Sequence, residues 1–123
     1  MFGWNGKIAK ISLAERKVED IPLEKEFLID YLGGRGLGVK FVYDLVEPGL
    51  DPFSPENILV FAAGPLTGTT CPTSGRFATV SKSPLTGTIF DCSSGGNFGP
   101  ELKFAGLDGL LIFGKSDEPV YLE

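Results

Sequence analysis

The sequence contains no histidine and only two cysteines, Cys71 and Cys92. Structural zinc sites and iron–sulfur clusters take most of their ligands from these two residue types, so this chain alone cannot supply either kind of site. The cysteines are too far apart in sequence for a CxxC pair, and we expect free thiols. The lack of histidine also removes the usual base of nucleophilic catalysis, and neither a GxSxG nor a Walker A motif occurs. We therefore expect no catalytic residue in this chain.

Long apolar segments are also missing. No run is long enough to cross a bilayer, and the N-terminal residues lack the apolar core of a secretion signal. The formal net charge of −5 over 123 residues argues against nucleic acid and against anionic membrane surfaces as partners. The hydrophobic content of 42% is that of an ordinary globular protein. These features predict a single domain, residues 1–123, located in the cytoplasm.

Acidic residues are nearly absent from the stretch 57–100. Asp91 is the only acid there, against Arg76 and Lys82, so the stretch carries +1 and the rest of the chain −6. A site for a small anionic ligand requires such depletion, but buried strands also lack charge. The charge pattern alone leaves both interpretations open.

Glycine, serine and threonine are abundant in the same region and make up 19 of the 36 residues from 64 to 99. The phrase PLTGT occurs twice, at 65–69 and at 84–88. The first copy leads to TSGR at 73–76 and the second to SSGG at 93–96. Backbone amides and hydroxyls arranged in this way can surround an anion.

The two clusters contain the candidate binding residues. Arg76 can hold a phosphate in bidentate fashion, and the second cluster leads into a short predicted helix with Pro100 at its first position. The ordinary alternatives are a surface ion pair for the arginine, and helix caps and turns for the serines and glycines. The candidates are Arg76, Ser93, Ser94, Gly95 and Gly96.

The apolar patterns predict strands and short helices in alternation. GRGLG at 34–38 follows a helix and not a strand, so it predicts a helix–helix corner rather than a nucleotide loop. The predicted strands are 7–13 and 18–21 as a hairpin, 58–63, 77–81, 88–91, 110–113 and the start of one at 120–122; the predicted helices are 22–32, 37–46 and 100–105.

Four longer motifs occur in the order that is typical of one protein family. The motifs are GGRGLG at 33–38, DPFSPEN at 51–57, AAGPLTGT at 62–69 and GGNFGPELKFAG at 95–106. With them the chain resembles the N-terminal domain of the tungsten-containing aldehyde ferredoxin oxidoreductases, over nearly its whole length. The resemblance implies that the PLTGT repeat is a turn that positions the two clusters.

The resemblance implies an α+β fold, a mixed β-sheet with a few short helices packed on it, which forms half of a duplicated cofactor-binding base domain. It implies that Arg76, Ser93, Ser94, Gly95 and Gly96 contact a tungstopterin, a bis-molybdopterin with tungsten or molybdenum. Ser93 stands where the family pattern has asparagine, which offers more donors and a longer reach. In the family, the [4Fe–4S] ligands and the acid/base residues lie in later domains. We therefore expect a truncated chain that ligates neither metal nor cluster.

For the complete protein, the resemblance implies the oxidation of an aldehyde to a carboxylic acid with electron transfer to ferredoxin. Ferredoxin and the aldehyde are the expected partners, and a homodimer is one arrangement that the resemblance allows. Two alternatives stay open: a reductase of the same family that acts on aromatic acyl-CoA esters, and a stand-alone module that binds a nucleotide-like anion.

Overall fold

The structure, a computed structural model that describes residues 3–123, is organised around a six-stranded mixed β-sheet. The strand order is β2-β1-β6-β3-β4-β5; β1 and β6 are parallel, and all other neighbours are antiparallel. This confirms the predicted α+β class. The strands are β1 (Lys7–Ser12), β2 (Lys17–Pro22), β3 (Ile58–Ala63), β4 (Phe77–Lys82), β5 (Ile89–Ser94) and β6 (Gly109–Phe113); the helices are α1 (Lys25–Tyr31), α2 (Gly34–Leu45) and α3 (Phe98–Phe104).

Helix α2 covers one face of the sheet and builds the main core. Leu37 and Val42 on the helix are buried together with Val60 and Val80, which occupy paired positions on β3 and β4. The helix comes so close to β4 that a Cβ on Gly38 would lie 2.5 Å from the Val80 Cγ2 atom. None of the helices in the described part of the chain is long and apolar enough to cross a bilayer.

The opposite face of the sheet carries aromatic side chains. Phe61 and Phe77 project there from neighbouring strands, and Phe98 reaches them from α3. The three ring centroids lie 4.8 to 6.1 Å apart, a range in which aromatic rings attract each other. This cluster attaches α3 to the sheet.

The starts of the first two helices differ from the sequence prediction. The first helix begins at Lys25 and not at Pro22, because Pro22 completes the β1–β2 pairing opposite Lys7. The second begins at Gly34 and not at Leu37, so the helix–helix corner lies at Leu32 and Gly33 rather than at 34–38. The close backbone contact expected there is present, since a Cβ on Gly36 would clash with the Tyr31 carbonyl oxygen.

The strand predicted at 120–122 is also wrong, since residues 115–123 contain no strand. Val120 and its neighbours lie instead beside the β1–β2 hairpin, where they line a groove with Ile11 and Val18. An ion pair of 2.8 Å between Arg16 and Glu118 holds the segment there. The apolar side chains of this segment line the groove but stay largely exposed, and the segment does not pair in the sheet.

Candidate functional site

The two clusters predicted from the sequence meet at one end of the sheet. Antiparallel pairing places Ala63, the last residue of β3, beside Phe77, and Phe77 beside Ser94, the last residue of β5. The loop 64–76 and the segment 93–99 therefore lie next to each other. We call these two segments together the glycine-loop end.

The backbones of these two segments are in direct contact with each other. A Cβ on Gly75 would lie 3.1 Å from the carbonyl oxygen of Gly96, and a Cβ on Gly99 would lie 3.0 Å from that of Gly75. Contacts this short leave little space for a side chain, so glycine at these positions permits the close approach of the two segments.

Thr67 connects the first PLTGT copy to the candidate arginine. Its side chain is buried, and its Oγ1 atom accepts a hydrogen bond from the Gly64 N–H (3.1 Å) and donates one to the Arg76 carbonyl oxygen (3.0 Å). One hydroxyl thus joins the end of β3 to the start of β4. The first copy positions the cluster that follows it, as the sequence predicted.

The second copy lies at the other end of the sheet, in the turn between β4 and β5. There the Ser83 Oγ atom accepts hydrogen bonds from the N–H groups of Leu85 (3.2 Å) and Thr86 (3.3 Å). Because antiparallel strands carry the chain away from this turn, the phrase lies a full strand length from Ser93. The interpretation that both copies position a glycine cluster is therefore wrong for the second copy, which closes a hairpin.

Arg76 lies on one segment of the glycine-loop end and Gly95 and Gly96 on the other, and all three residues are exposed. Within the described residues, the Arg76 guanidinium takes part in no ion pair, and no hydrogen bond uses the N–H of Gly95 or of Gly96. Three sets of donors therefore remain available to a ligand at this end of the sheet.

The two serines are placed differently from the prediction, because both belong to β5 and not to the following loop. Ser93 pairs with Ala78 and Ser94 with Phe77, so their side chains project to opposite faces of the sheet. Only Ser93 lies on the face that α2 covers. The two hydroxyls cannot both contact one phosphate, although both backbones border the same glycine turn.

Arg35 is a further cation at this end that the sequence interpretation missed. The start of α2 packs against the end of β3, since a Cβ on Gly33 would lie 2.6 Å from the Ala63 carbonyl oxygen. The Arg35 guanidinium lies 4.0 Å from the carboxylate of Asp91, two residues before Ser93. The glycine-rich run around Arg35 was the available signal, but its assignment to a corner hid its position.

Helix α3 begins at Phe98 with Asn97 as its N-cap, so Pro100 is its third residue and not its first as predicted. The helix is fixed to the sheet by a buried ion pair between Lys103 and Asp108. The Asp108 carboxylate also accepts hydrogen bonds from the N–H groups of Asn5 (3.0 Å) and Gly6 (2.7 Å). This network orients the helix that follows the glycine turn.

Side chains that could ligate a metal do not cluster in the described part of the chain. Across residues 3–123 no three of histidine, cysteine, aspartate and glutamate come together. Cys71 and Cys92 are both free and exposed, which confirms the expectation of free thiols. The groups that a ligand could contact at this end of the sheet are therefore backbone amides and the Arg76 guanidinium.

Comparisons with known proteins agree with the resemblance. The family model of the aldehyde ferredoxin oxidoreductase N-terminal domain matches residues 8–123. The tungsten-containing aldehyde ferredoxin oxidoreductases of Pyrococcus abyssi and Pyrococcus horikoshii are 52% and 50% identical to the chain over 122 residues, which is 99% of this chain and 20% of each relative. The chain thus spans about a fifth of the length of these curated relatives.

A solved structure is similar over the same region. The active-site complex BamBC of benzoyl-coenzyme A reductase, bound to 1,5-dienoyl-CoA, superimposes with a TM-score of 0.95 at 38% identity. The match covers 98% of this chain and 18% of that chain. The agreement in sequence and in fold leads to one conclusion: the chain belongs to the aldehyde ferredoxin oxidoreductase family, whose N-terminal domain it carries over residues 8–123.

Proposed function

We propose that residues 1–123 form the cofactor-binding N-terminal domain of an oxidoreductase, and that the glycine-loop end holds a tungstopterin. The observation that carries the proposal is a set of exposed donors without a partner among the described residues. The Arg76 guanidinium belongs to one segment of the glycine-loop end, and the amides of Gly95 and Gly96 belong to the other. Ser93 and Ser94 border the same turn and complete the proposed contacts.

The chemistry of these donors fits a pterin that carries phosphate. Glycine at 95 and 96 leaves open space, since a Cβ on either residue would meet no atom within 4 Å. A phosphate can therefore approach the backbone directly, and Arg76 can bind it through two parallel hydrogen bonds. Thr67 holds the Arg76 backbone in place through its carbonyl oxygen (3.0 Å), so the guanidinium starts from a defined position.

The metal would arrive with the cofactor, because the described residues hold no cluster of metal-ligating side chains. When bound, the tungsten or molybdenum centre of a bis-molybdopterin supplies two-electron redox chemistry. The residues of this chain would bind and orient the pterin, and acid–base chemistry and [4Fe–4S] ligation would fall to other parts of the protein.

For the complete protein we propose a cytoplasmic enzyme that converts an aldehyde and water into a carboxylic acid, two protons and two electrons, with ferredoxin as the electron acceptor. The relatives that are about half identical to this chain are named aldehyde ferredoxin oxidoreductases, which supports this reaction over others. A reductase of aromatic acyl-CoA esters is the second candidate, favoured by the similarity to BamBC. Aldehyde-dependent reduction of ferredoxin by the purified complete protein would distinguish the two.

The cofactor site is tested by Arg76→Ala in the complete protein. We expect tungsten and pterin content, measured by elemental analysis and by fluorescence of the oxidised pterin, to fall well below that of the unmodified protein. Arg16→Ala is the matched control, because Arg16 is also exposed but pairs with Glu118 at the β1–β2 hairpin. Full metal and pterin occupancy in the Arg76 variant would contradict the proposal.

A further inference from the structure

A groove of about 490 Å³ lies at the end of the sheet opposite the glycine-loop end. It runs between the last turn of α2 and the turn that contains the second PLTGT copy. Val42, Val46, Pro48 and Ile89 give it apolar walls. Its volume falls within the range of small-molecule sites, which are about 300–1,000 Å³.

Lys82 lies in this groove and is unusually buried for a lysine. It is the last residue of β4 and pairs with Ile89, and only 8% of its surface is exposed. None of the ion pairs or side-chain hydrogen bonds formed among residues 3–123 involves its ammonium group. A buried charge without a partner is costly, so lysines are seldom buried in this way.

The ammonium group of Lys82 is not fully enclosed. Across the described residues, no fully enclosed side-chain nitrogen or oxygen lacks a hydrogen-bond partner. The Lys82 Nζ atom has no partner among these residues, so it keeps some contact with solvent, and the groove is the space that Lys82 lines. The groove thus holds one buried cation beside apolar walls and one exposed carboxylate, that of Glu47.

The charged and apolar groups that line the groove indicate the charge and the shape of a suitable ligand. Glu47 also lines it but forms no ion pair with Lys82, and Tyr43 and Thr88 add hydroxyl groups. A single cation matches a single negative charge, and apolar walls match an apolar body. Inorganic phosphate has no such body and would be poorly compensated by one donor group.

We propose that this groove binds a small organic monocarboxylate, with its carboxylate on the Lys82 ammonium and its apolar body between Val46, Pro48 and Ile89. The second PLTGT copy then forms one wall of this site through Gly87 and Thr88. The proposal does not depend on the cofactor, because the groove and the glycine-loop end lie at opposite ends of the sheet.

The test is calorimetric titration of the complete protein with 4-bromobenzoate, followed by location of the bromine through its anomalous scattering in crystals. We expect binding with the bromine in the groove, and a loss of at least about tenfold in affinity for Lys82→Met. Lys10→Met is the control and should bind normally, because Lys10 lies on β1 with its ammonium over the Phe113 ring. Inorganic phosphate and the neutral 4-bromobenzamide should bind at least about tenfold more weakly than 4-bromobenzoate.

A second variant tests the same site in case Lys82→Met does not fold. Thr88→Trp keeps the ammonium group and fills the groove from an exposed position, so it should also abolish binding. Four results would overturn the proposal: equal binding of the amide, unchanged affinity in both variants, bromine located elsewhere, or no binding at about 10 mM ligand. An acidic side chain from another part of the protein seated on Lys82 would overturn it as well.

Discussion

Thr67→Val tests how the first PLTGT copy organises the glycine-loop end. Valine has nearly the shape of threonine but lacks the hydroxyl, so the substitution removes two hydrogen bonds and leaves the packing almost unchanged. The Gly64 N–H would lose its acceptor and the Arg76 carbonyl oxygen its donor, beside a residue that is only 6% exposed.

The magnitude follows from the two backbone groups left without a partner. A buried polar group deprived of its partner costs about 1–3 kcal/mol, and water can compensate part of that cost here because both hydrogen bonds are only partly buried. The gain from burying a methyl group in place of the hydroxyl offsets part of this cost. We therefore expect Thr67→Val to lower the free energy of unfolding by about 2–4 kcal/mol, measured by urea denaturation of the 123-residue chain.

The repeat supplies a matched control at the same position of the same phrase. Thr86 is exposed, and its hydroxyl contacts only the Thr88 hydroxyl (3.0 Å) and the Thr88 N–H (3.4 Å). Thr86→Val should change the free energy of unfolding by less than about 0.5 kcal/mol. Thr67→Ser keeps the hydroxyl and should restore most of the stability that valine loses.

Equal effects of Thr67→Val and Thr86→Val would refute the reasoning, because they would show that the hydroxyl at 67 has no structural role beyond that of an exposed threonine. In the complete protein, Thr67→Val should also reduce pterin content, since it releases the backbone of Arg76. A loss of stability with full pterin content would limit the role of Thr67 to folding.

Two further predictions concern packing and pH. Gly38→Ala should lower the free energy of unfolding by up to about 2 kcal/mol, because a Cβ 2.5 Å from Val80 overpacks the core by more than the helix gains from alanine; adding Val80→Ala should relieve the clash, and simple additivity of the two effects would contradict it. Hydrogen bonding and then charge attraction from Lys17 lower the pKa of Glu19 from its ordinary value of 4.5. The depressed pKa means that this contribution to stability is present above pH 4.5 and is lost as the pH falls through the folded pKa. In Lys17→Met the Glu19 pKa, followed by NMR titration, should therefore rise toward 4.5, and an unchanged pKa would contradict the assignment.

The sequence predicted all six strands of the sheet, and it failed where tertiary contacts decide. The apolar run 58–63 matches β3 completely, because only a central strand needs so many apolar residues in succession. The prediction started α2 at Leu37, three residues late, because glycine disfavours helices. In the fold Gly38 allows α2 to approach Val80 of β4 and Gly36 allows it to approach the end of α1, which sequence periodicity does not report.

The candidate site was likewise predicted only where local sequence properties suffice. Arg76, Gly95 and Gly96 could be selected from composition and charge, since both properties belong to the chain itself. The opposite orientations of Ser93 and Ser94 depend on how far the β4–β5 ladder continues, and that is set by pairing with Phe77 and Ala78. The residues around Ser93 and Ser94 do not show which distant residues they pair with, so the sequence alone could not predict these orientations.

The two PLTGT copies show that the local sequence determines the turn, whereas the surrounding structure determines how that turn packs. Gly68 and Gly87 both have a positive φ, +76° and +69°, so the phrase makes a turn in both places. A Cβ on Gly68 would lie 3.3 Å from the Pro100 Cα atom, whereas one on Gly87 would meet nothing within 4 Å. The first turn packs against α3, and its Thr67 hydroxyl holds the backbone of Arg76. The second turn is open, and a groove lies beside it at Lys82. The same five residues thus support the proposed cofactor site at one end of the sheet and border the proposed carboxylate site at the other.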